Sequence, residues 1–131
     1  MRTTIRHEAE NATISQGIIC ESLHAGFSGS CYVNLDNVVG SYLEWTVNAP
    51  QAGTATLTIG FANGTTTNRP MDITVNGVLV RDELSFPPTG AWTEWRTTTF
   101  TAPLNAGSNT IRATSTTSHG GPNLDYLDVS L

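Results

Sequence analysis

The sequence predicts an all-β protein, a β-sandwich, and three observations carry that reading. Polar and apolar residues alternate with a period of two in short stretches such as Thr56-Leu57-Thr58-Ile59 and Asp72-Ile73-Thr74-Val75. Turn-forming pieces rich in Gly, Pro and Asn recur between these stretches at close intervals, and no segment has helical periodicity. Thr, Ser, Asn and Gly are abundant, charged residues are 13% of the chain, and lysine is absent, a composition that suits an extracellular β-rich module. At 131 residues the chain is long enough for one domain, burying roughly two thirds of its unfolded surface in a single core.

Residues 1–4 read as an unstructured start. Residues 5–10 read as a short strand on which Glu8 and Glu10 share a face, and residues 11–24 as irregular or edge structure. The Gly-rich run 25–30 turns into a strand at 31–35, with Cys31, Val33 and Leu35 on one face and Tyr32, Asn34 and then Asp36 on the other. A strand over 40–47 turns Leu43, Trp45 and Val47 inward, and Asn48-Ala49-Pro50-Gln51-Ala52-Gly53 is a turn. After the two central strands, Asn76-Gly77 closes a tight hairpin, and Val78-Leu79-Val80 follows. Residues 86–91 are irregular, 92–101 form a Thr-rich strand, 104–109 turn, and 110–114 form another strand. A last loop over 118–123 precedes a closing strand at 124–131, with Leu127, Val129 and Leu131 toward the core.

The segment between the central strands stands apart. Residues 62–70 are too many for a minimal hairpin and nearly free of apolar side chains, and a polar loop of that length is usually functional or mobile.

The formal net charge of −5 leaves no basic stripe for a phosphate backbone or an anionic membrane surface. No apolar run approaches a membrane span and no secretion signal precedes the domain, so the chain is expected to be a module excised from a larger secreted enzyme. Cys20 and Cys31 are the only cysteines; they lack metal-type spacing, and a disulfide is expected in preference to two buried thiols.

Two groups of residues could carry chemistry. Glu8, Glu10 and Asp128, with a carbonyl from the Ser28-Gly29-Ser30 turn, would gather negative oxygens that repel one another without a cation. Calcium suits such a set, although two solvated acids on an edge strand are the commoner outcome. The second group is Tyr32, the polar loop with Arg69, Trp92 or Trp95, and Asn123. Sugar rings stack their C–H faces on aromatic rings and offer hydroxyls to amides and guanidinium groups, and a guanidinium fork also matches a carboxylate. Counting alternation back from Phe100 puts Trp95 outward and Trp92 inward, an order that a bulge would reverse, so one of the two is expected to meet ligand. Arg69 could equally anchor its loop through a salt bridge, and Asp36-Asn37 is either an Asx turn or a source of oxygens for a second ion. His7, His24 and His119 have no metal-ligand spacing, and no nucleophile elbow, phosphate loop or zinc-protease motif occurs, so an enzyme is not expected.

With those residues assembled, the sequence resembles the carbohydrate-binding modules of family 35, related to family 6. The matching pieces are Glu8-Ala9-Glu10; residues 26–33; Phe61-Ala62-Asn63-Gly64, Asn68-Arg69-Pro70 and Val75-Asn76-Gly77; Gly90-Ala91-Trp92 with Trp95; residues 104–111; and Pro122-Asn123-Leu124-Asp125 to Asp128. The resemblance implies a jelly-roll sandwich, a structural calcium held by Glu8, Glu10, the Ser30 region and Asp128, and a sugar site at one end built from Tyr32, a tryptophan and Asn123. It also implies a non-catalytic, monomeric module that carries the catalytic domain of its own polypeptide to polysaccharide chain ends. The expected ligand is a terminal uronic acid, glucuronic or unsaturated galacturonic, met by Arg69 or by a second calcium at Asp36 and Asn37. Neutral mannan or galactan, chitosan, or a purely structural calcium-stabilised role are the alternatives. Ala91 in place of a glycine and the Cys20–Cys31 pair depart from the family pattern.

Overall fold

A computed structural model describes residues 3–131 and shows two antiparallel sheets packed face to face, with no α-helix among those residues. The first sheet contains β1 (Thr4–Glu8), β3 (Gly17–Glu21), β4 (Tyr32–Leu35), β6 (Gly53–Ala62), β9 (Arg96–Leu104) and β11 (Asn123–Ser130). Its order is β3-β4-β11-β6-β9, and β1 pairs with the later part of β11. The second sheet runs β2-β5-β10-β7-β8, with β2 at Thr13–Ser15, β5 at Tyr42–Ala49, β7 at Met71–Val75, β8 at Val78–Leu84 and β10 at Gly107–Ser115.

The core lies between the sheets, where alternate side chains interdigitate. Leu57, Ile59 and Phe61 of β6 meet Leu43, Trp45 and Val47 of β5, Ile73 and Val75 of β7, and Ile111 and Ala113 of β10, all buried. Leu127 and Val129 join them from β11. Asn76 and Gly77 both take positive φ, 51° and 81°, which is the backbone that a two-residue hairpin between right-twisted strands requires.

Three strand assignments change. The opening strand stops at Glu8, and Ala9–Asn11 is a single 3-10 turn, so Glu10 does not follow the strand alternation. Residues 11–24, expected to be irregular, supply the short edge strands β2 and β3. Trp92 and Trp95 both precede β9, in a loop where strand parity has no meaning. The expected disulfide between Cys20 and Cys31 is formed, with Cα atoms 5.1 Å apart.

Candidate functional site

The polar loop over 63–70 is pinned from within. Asn63, fully buried at the end of β6, donates its amide to the carbonyls of Thr67 and Phe86, each at 2.9 Å, while its Oδ1 accepts from Thr65 N–H and Thr65 Oγ. Asn68 Oδ1 accepts from Phe86 N–H at 2.8 Å. These bonds give the loop one shape and fix where Gly64 and Arg69 stand.

Trp92 lies against that loop. A Cβ built on Gly64 would fall 2.5 Å from Trp92 Cδ1 and Cγ, so the indole packs directly on the glycine backbone. The Arg69 guanidinium stands 5.4 Å from the centre of the same indole, within cation–π range, and donates through Nη1 to the carbonyl of Gly121 at 3.2 Å. Arg69 has no carboxylate partner among the described residues, and its buried Nε has no acceptor. Burial lowers its pKa, though a guanidinium remains charged at any ordinary pH. The alternative of a loop-anchoring salt bridge is thus not what the described residues show: Arg69 makes a side-chain bond to a carbonyl instead.

Asn123 opens β11 opposite Ala62 and is 4% exposed, yet its amide makes no hydrogen bond among the described residues. Next to it, Gly120 packs on the Asp36–Asn37 turn: a Cβ there would meet the Asp36 carbonyl at 2.8 Å and Asn37 Oδ1 at 3.1 Å. Both expected receivers of a ligand carboxylate, Arg69 and Asp36-Asn37, thus border the Gly120-Gly121 backbone. The Asp36 carbonyl already accepts from Val38 N–H and Ser41 Oγ, so the turn is also a structural one.

Tyr32 does not belong to the contact surface. It is fully buried, with its hydroxyl donating to Glu21 at 2.6 Å, and burial and that bond push its pKa up to about 12. The excursion over residues 22–30 folds back over the outer face of β4, and Trp95 covers the ring at 5.2 Å. Trp95 itself donates to the Ala25 carbonyl at 2.9 Å and packs edge-on against Phe27, so it is structural packing. Of the two tryptophans, Trp92 is the one beside Arg69.

The acidic cluster forms, with one exchange of partners. Glu8 and Glu10 converge on Gly29, whose added Cβ would meet Glu10 Oε2 at 2.7 Å and Glu8 Oε2 at 3.1 Å. Ser28 Oγ donates to Glu8 at 2.8 Å and Ser30 N–H to Glu10 at 3.2 Å. Asp128, expected as the third acid, is held elsewhere: Arg6 donates Nε and Nη2 to its two oxygens at 2.8 and 2.9 Å across the β1–β11 ladder. Asp125 takes its place. The β6–β11 register slips between Leu124 and Tyr126, making Asp125 the extra residue of a bulge, and the carboxylate is buried with both oxygens accepting from Ser28 N–H. Burial first, then the charges of Glu8 and Glu10, raise its pKa to about 6 against the opposing Ser28 bond. Among the described residues no group of three or more Asp, Glu, His or Cys side chains is arranged so that it could hold a metal ion. Glu8 Oε1 and Glu10 Oε1 are nonetheless buried without any partner, and buried anionic oxygens left bare are what a cation would satisfy.

The geometry is that of a binding end: an aromatic face, a bare cation and an unpaired amide at the tip of a sandwich, braced by an acidic cluster below. The comparisons agree. The model of the carbohydrate-binding module family 6 matches residues 8–130. A family 35 carbohydrate-binding module from Clostridium thermocellum is 52% identical, with a TM-score of 0.94 over 97% of both chains. An exo-beta-D-glucosaminidase of Amycolatopsis orientalis is 50% identical over 123 residues, 94% of this chain but 12% of that enzyme. A third relative, a family 35 module solved in complex with a disaccharide containing glucuronic acid, is 35% identical with a TM-score of 0.84, over 95% of this chain and 91% of that one.

The chain belongs to the carbohydrate-binding modules of family 35, the group related to family 6. It is a non-catalytic ancillary module, of a kind that makes up a small part of much longer carbohydrate-active enzymes.

Proposed function

We propose that the module binds a terminal uronic acid, glucuronic or unsaturated galacturonic, and delivers an attached polysaccharide-degrading enzyme to chain ends that carry it. The observation that carries this reading is Arg69, a half-buried guanidinium beside an aromatic face with no carboxylate partner among the described residues. An anionic ligand supplies the missing partner, while Trp92 takes the C–H face of the ring and Asn123 its hydroxyls. The relative bound to a glucuronic-acid disaccharide supports the same class of ligand.

Calcium enters in two places. Glu8, Glu10, Asp125 and the Ser30 turn would hold a structural ion, for which the bare Oε1 atoms of both glutamates are the support. Asp36 and Asn37 would hold a second ion that shares the ligand carboxylate with Arg69. The ions supply positive charge and rigidity. The disulfide is in keeping with a secreted module. A glucosamine polymer is the second reading, favoured by the net charge of −5 and the glucosaminidase relative.

Calorimetric titration of D-glucuronate, with calcium and after chelation, beside a neutral hexose, tests the proposal. Binding of the acid but not the hexose is expected, weakened at least about tenfold in Arg69→Ala. Loss on chelation that Asn37→Ala reproduces in saturating calcium assigns the carboxylate to calcium at Asp36-Asn37, whereas loss on chelation alone points to the structural ion. Silence with the acid in both conditions sinks the uronate reading.

A further inference from the structure

Trp92 and Trp95 lie on one short turn ahead of β9, closed by Glu94 N–H donating to the Ala91 carbonyl at 3.1 Å. Whatever holds Trp95 therefore also sets where that turn stands, and Trp92 with it.

What holds Trp95 is the loop over residues 22–30. The indole Nε1 donates to the Ala25 carbonyl at 2.9 Å. Gly26 has a φ of 105°, and a Cβ on it would fall 2.8 Å from Trp95 Cδ1 and 3.1 Å from Nε1, so the indole rests on the glycine backbone. Phe27 meets the same ring edge-on, at 6.5 Å between centroids.

The next residue, Ser28, ties the loop to the acidic cluster. Its N–H donates to both oxygens of the buried Asp125, at 3.0 and 2.8 Å, and its hydroxyl donates to Glu8 at 2.8 Å while accepting from Arg6 Nη1 at 3.3 Å. The Cys20–Cys31 bridge closes the base of the loop. With that base fixed, a displacement at Ser28 is passed to Ala25 and Gly26, three and two residues away, and so to Trp95.

We propose that Ser28 is a positioning residue of the sugar site: its ties to Glu8 and Asp125 fix the 22–30 loop, the loop fixes Trp95, and Trp95 fixes the turn that places Trp92 beside Arg69. This rests on Trp92 as the stacking residue of the proposed function and does not depend on which sugar is bound. Ser28 itself meets no ligand; it acts through Trp95.

The test reads Trp92 directly. Three tryptophans give three indole N–H signals in a proton–nitrogen correlation spectrum, and Trp92→Phe identifies the one from Trp92. Ser28→Ala removes the hydroxyl and adds no ring, so a displaced Trp92 signal cannot come from the ring field of the new side chain. In chelator and without sugar, the Trp92 signal is expected to move in Ser28→Ala and in Trp95→Phe, while that of Trp45, in the core, stays in place. Asn109→Ala is the control for stability alone. It removes a buried amide that bonds the carbonyls of Asn105 and Gly107, and it should lower the melting temperature without moving the Trp92 signal.

Titration of D-glucuronate in saturating calcium supplies the second measurement. Ser28→Ala and Trp95→Phe are each expected to bind about three- to tenfold more weakly than wild type, and Asn109→Ala like wild type. The double variant Ser28→Ala, Trp95→Phe should bind no more weakly than the worse single one, because both changes break the same path. A Trp92 signal unmoved in both variants, additive losses of affinity, or the same changes in Asn109→Ala would each overturn the role of Ser28. Failure of wild type to bind glucuronate overturns the uronate reading, and the Trp92 signal then still decides for or against Ser28.

Discussion

Gly64 and Trp92 are in contact with no room for a side chain between them: a methyl carbon on Gly64 would lie 2.5 Å from two ring carbons and 2.6 Å from the indole nitrogen. The glycine backbone is the floor on which the tryptophan rests. Gly64→Ala should therefore push the indole away from Arg69. The expected loss of sugar affinity is about tenfold or more, as for a misplaced aromatic anchor. The melting temperature should fall only modestly, because Trp92 lies outside the core between the sheets. Calorimetry and a thermal melt on the one variant separate the two effects.

Asp125 and Asp128 should behave as opposites toward calcium. Asp125 faces Glu8 and Glu10, whereas Asp128 is occupied by Arg6. Asp125→Asn is expected to weaken calcium binding strongly, and Asp128→Asn to leave it nearly unchanged, in a competition titration against a fluorescent chelator. The Arg6–Asp128 pair is partly exposed, so Arg6→Ala should cost no more than about 1 kcal/mol of stability. Equal loss of calcium in both aspartate variants would contradict the assignment.

Stability without calcium should fall as pH rises. Asp125 has a folded pKa of about 6, above the ordinary 3.8, so the folded state binds the proton more tightly than the unfolded state does. That contribution is complete below the ordinary carboxylate range and disappears as pH rises through about 6; its size is about 1–3 kcal/mol. In chelator, the melting temperature should drop between pH 4 and pH 7 in wild type and drop less in Asp125→Asn. Saturating calcium, which favours the carboxylate, should remove or reverse the slope.

The disulfide should matter to the whole domain. Cys20 and Cys31 are 11 residues apart in sequence, and closing a loop of that size is worth about 3 kcal/mol in the chain-entropy model. The double variant Cys20→Ser, Cys31→Ser is expected to melt several degrees lower. It should also lose part of its sugar affinity, since the loop closed by the bridge packs against Trp92 through the His24 ring and would gain freedom.

The sandwich was legible in the sequence because alternation with period two survives in its central strands. Leu43, Trp45 and Val47 point inward as that pattern requires, and Asn76-Gly77 turns as its chemistry demands. Departures from regular strand defeated the same reasoning. Asp125 sits in a bulge, which reverses the face expected for it and so hid the third acid, leaving Asp128 as the apparent candidate. Tyr32 is on the outer face of its strand, but its own preceding loop and Trp95 from a distant one cover it, and strand parity says nothing about what lies above a sheet. Gly64 carries no spacing signal at all: its role comes from where its loop meets Trp92.

The pairing of the first strand with the last has a mechanical consequence. Thr4 and Ser130 face each other at one pole of the sandwich, and Asn123 marks the other, where Trp92 and Arg69 lie. Tension applied between Thr4 and Ser130 would open the β1–β11 ladder one bond at a time, as a zip opens. Tension between the Asn123 pole and Ser130 instead runs along β11 and strains its bonds to β6 side by side, so that they share the load. The domain is thus expected to resist a pull through its loop end far better than a pull that separates its two ends.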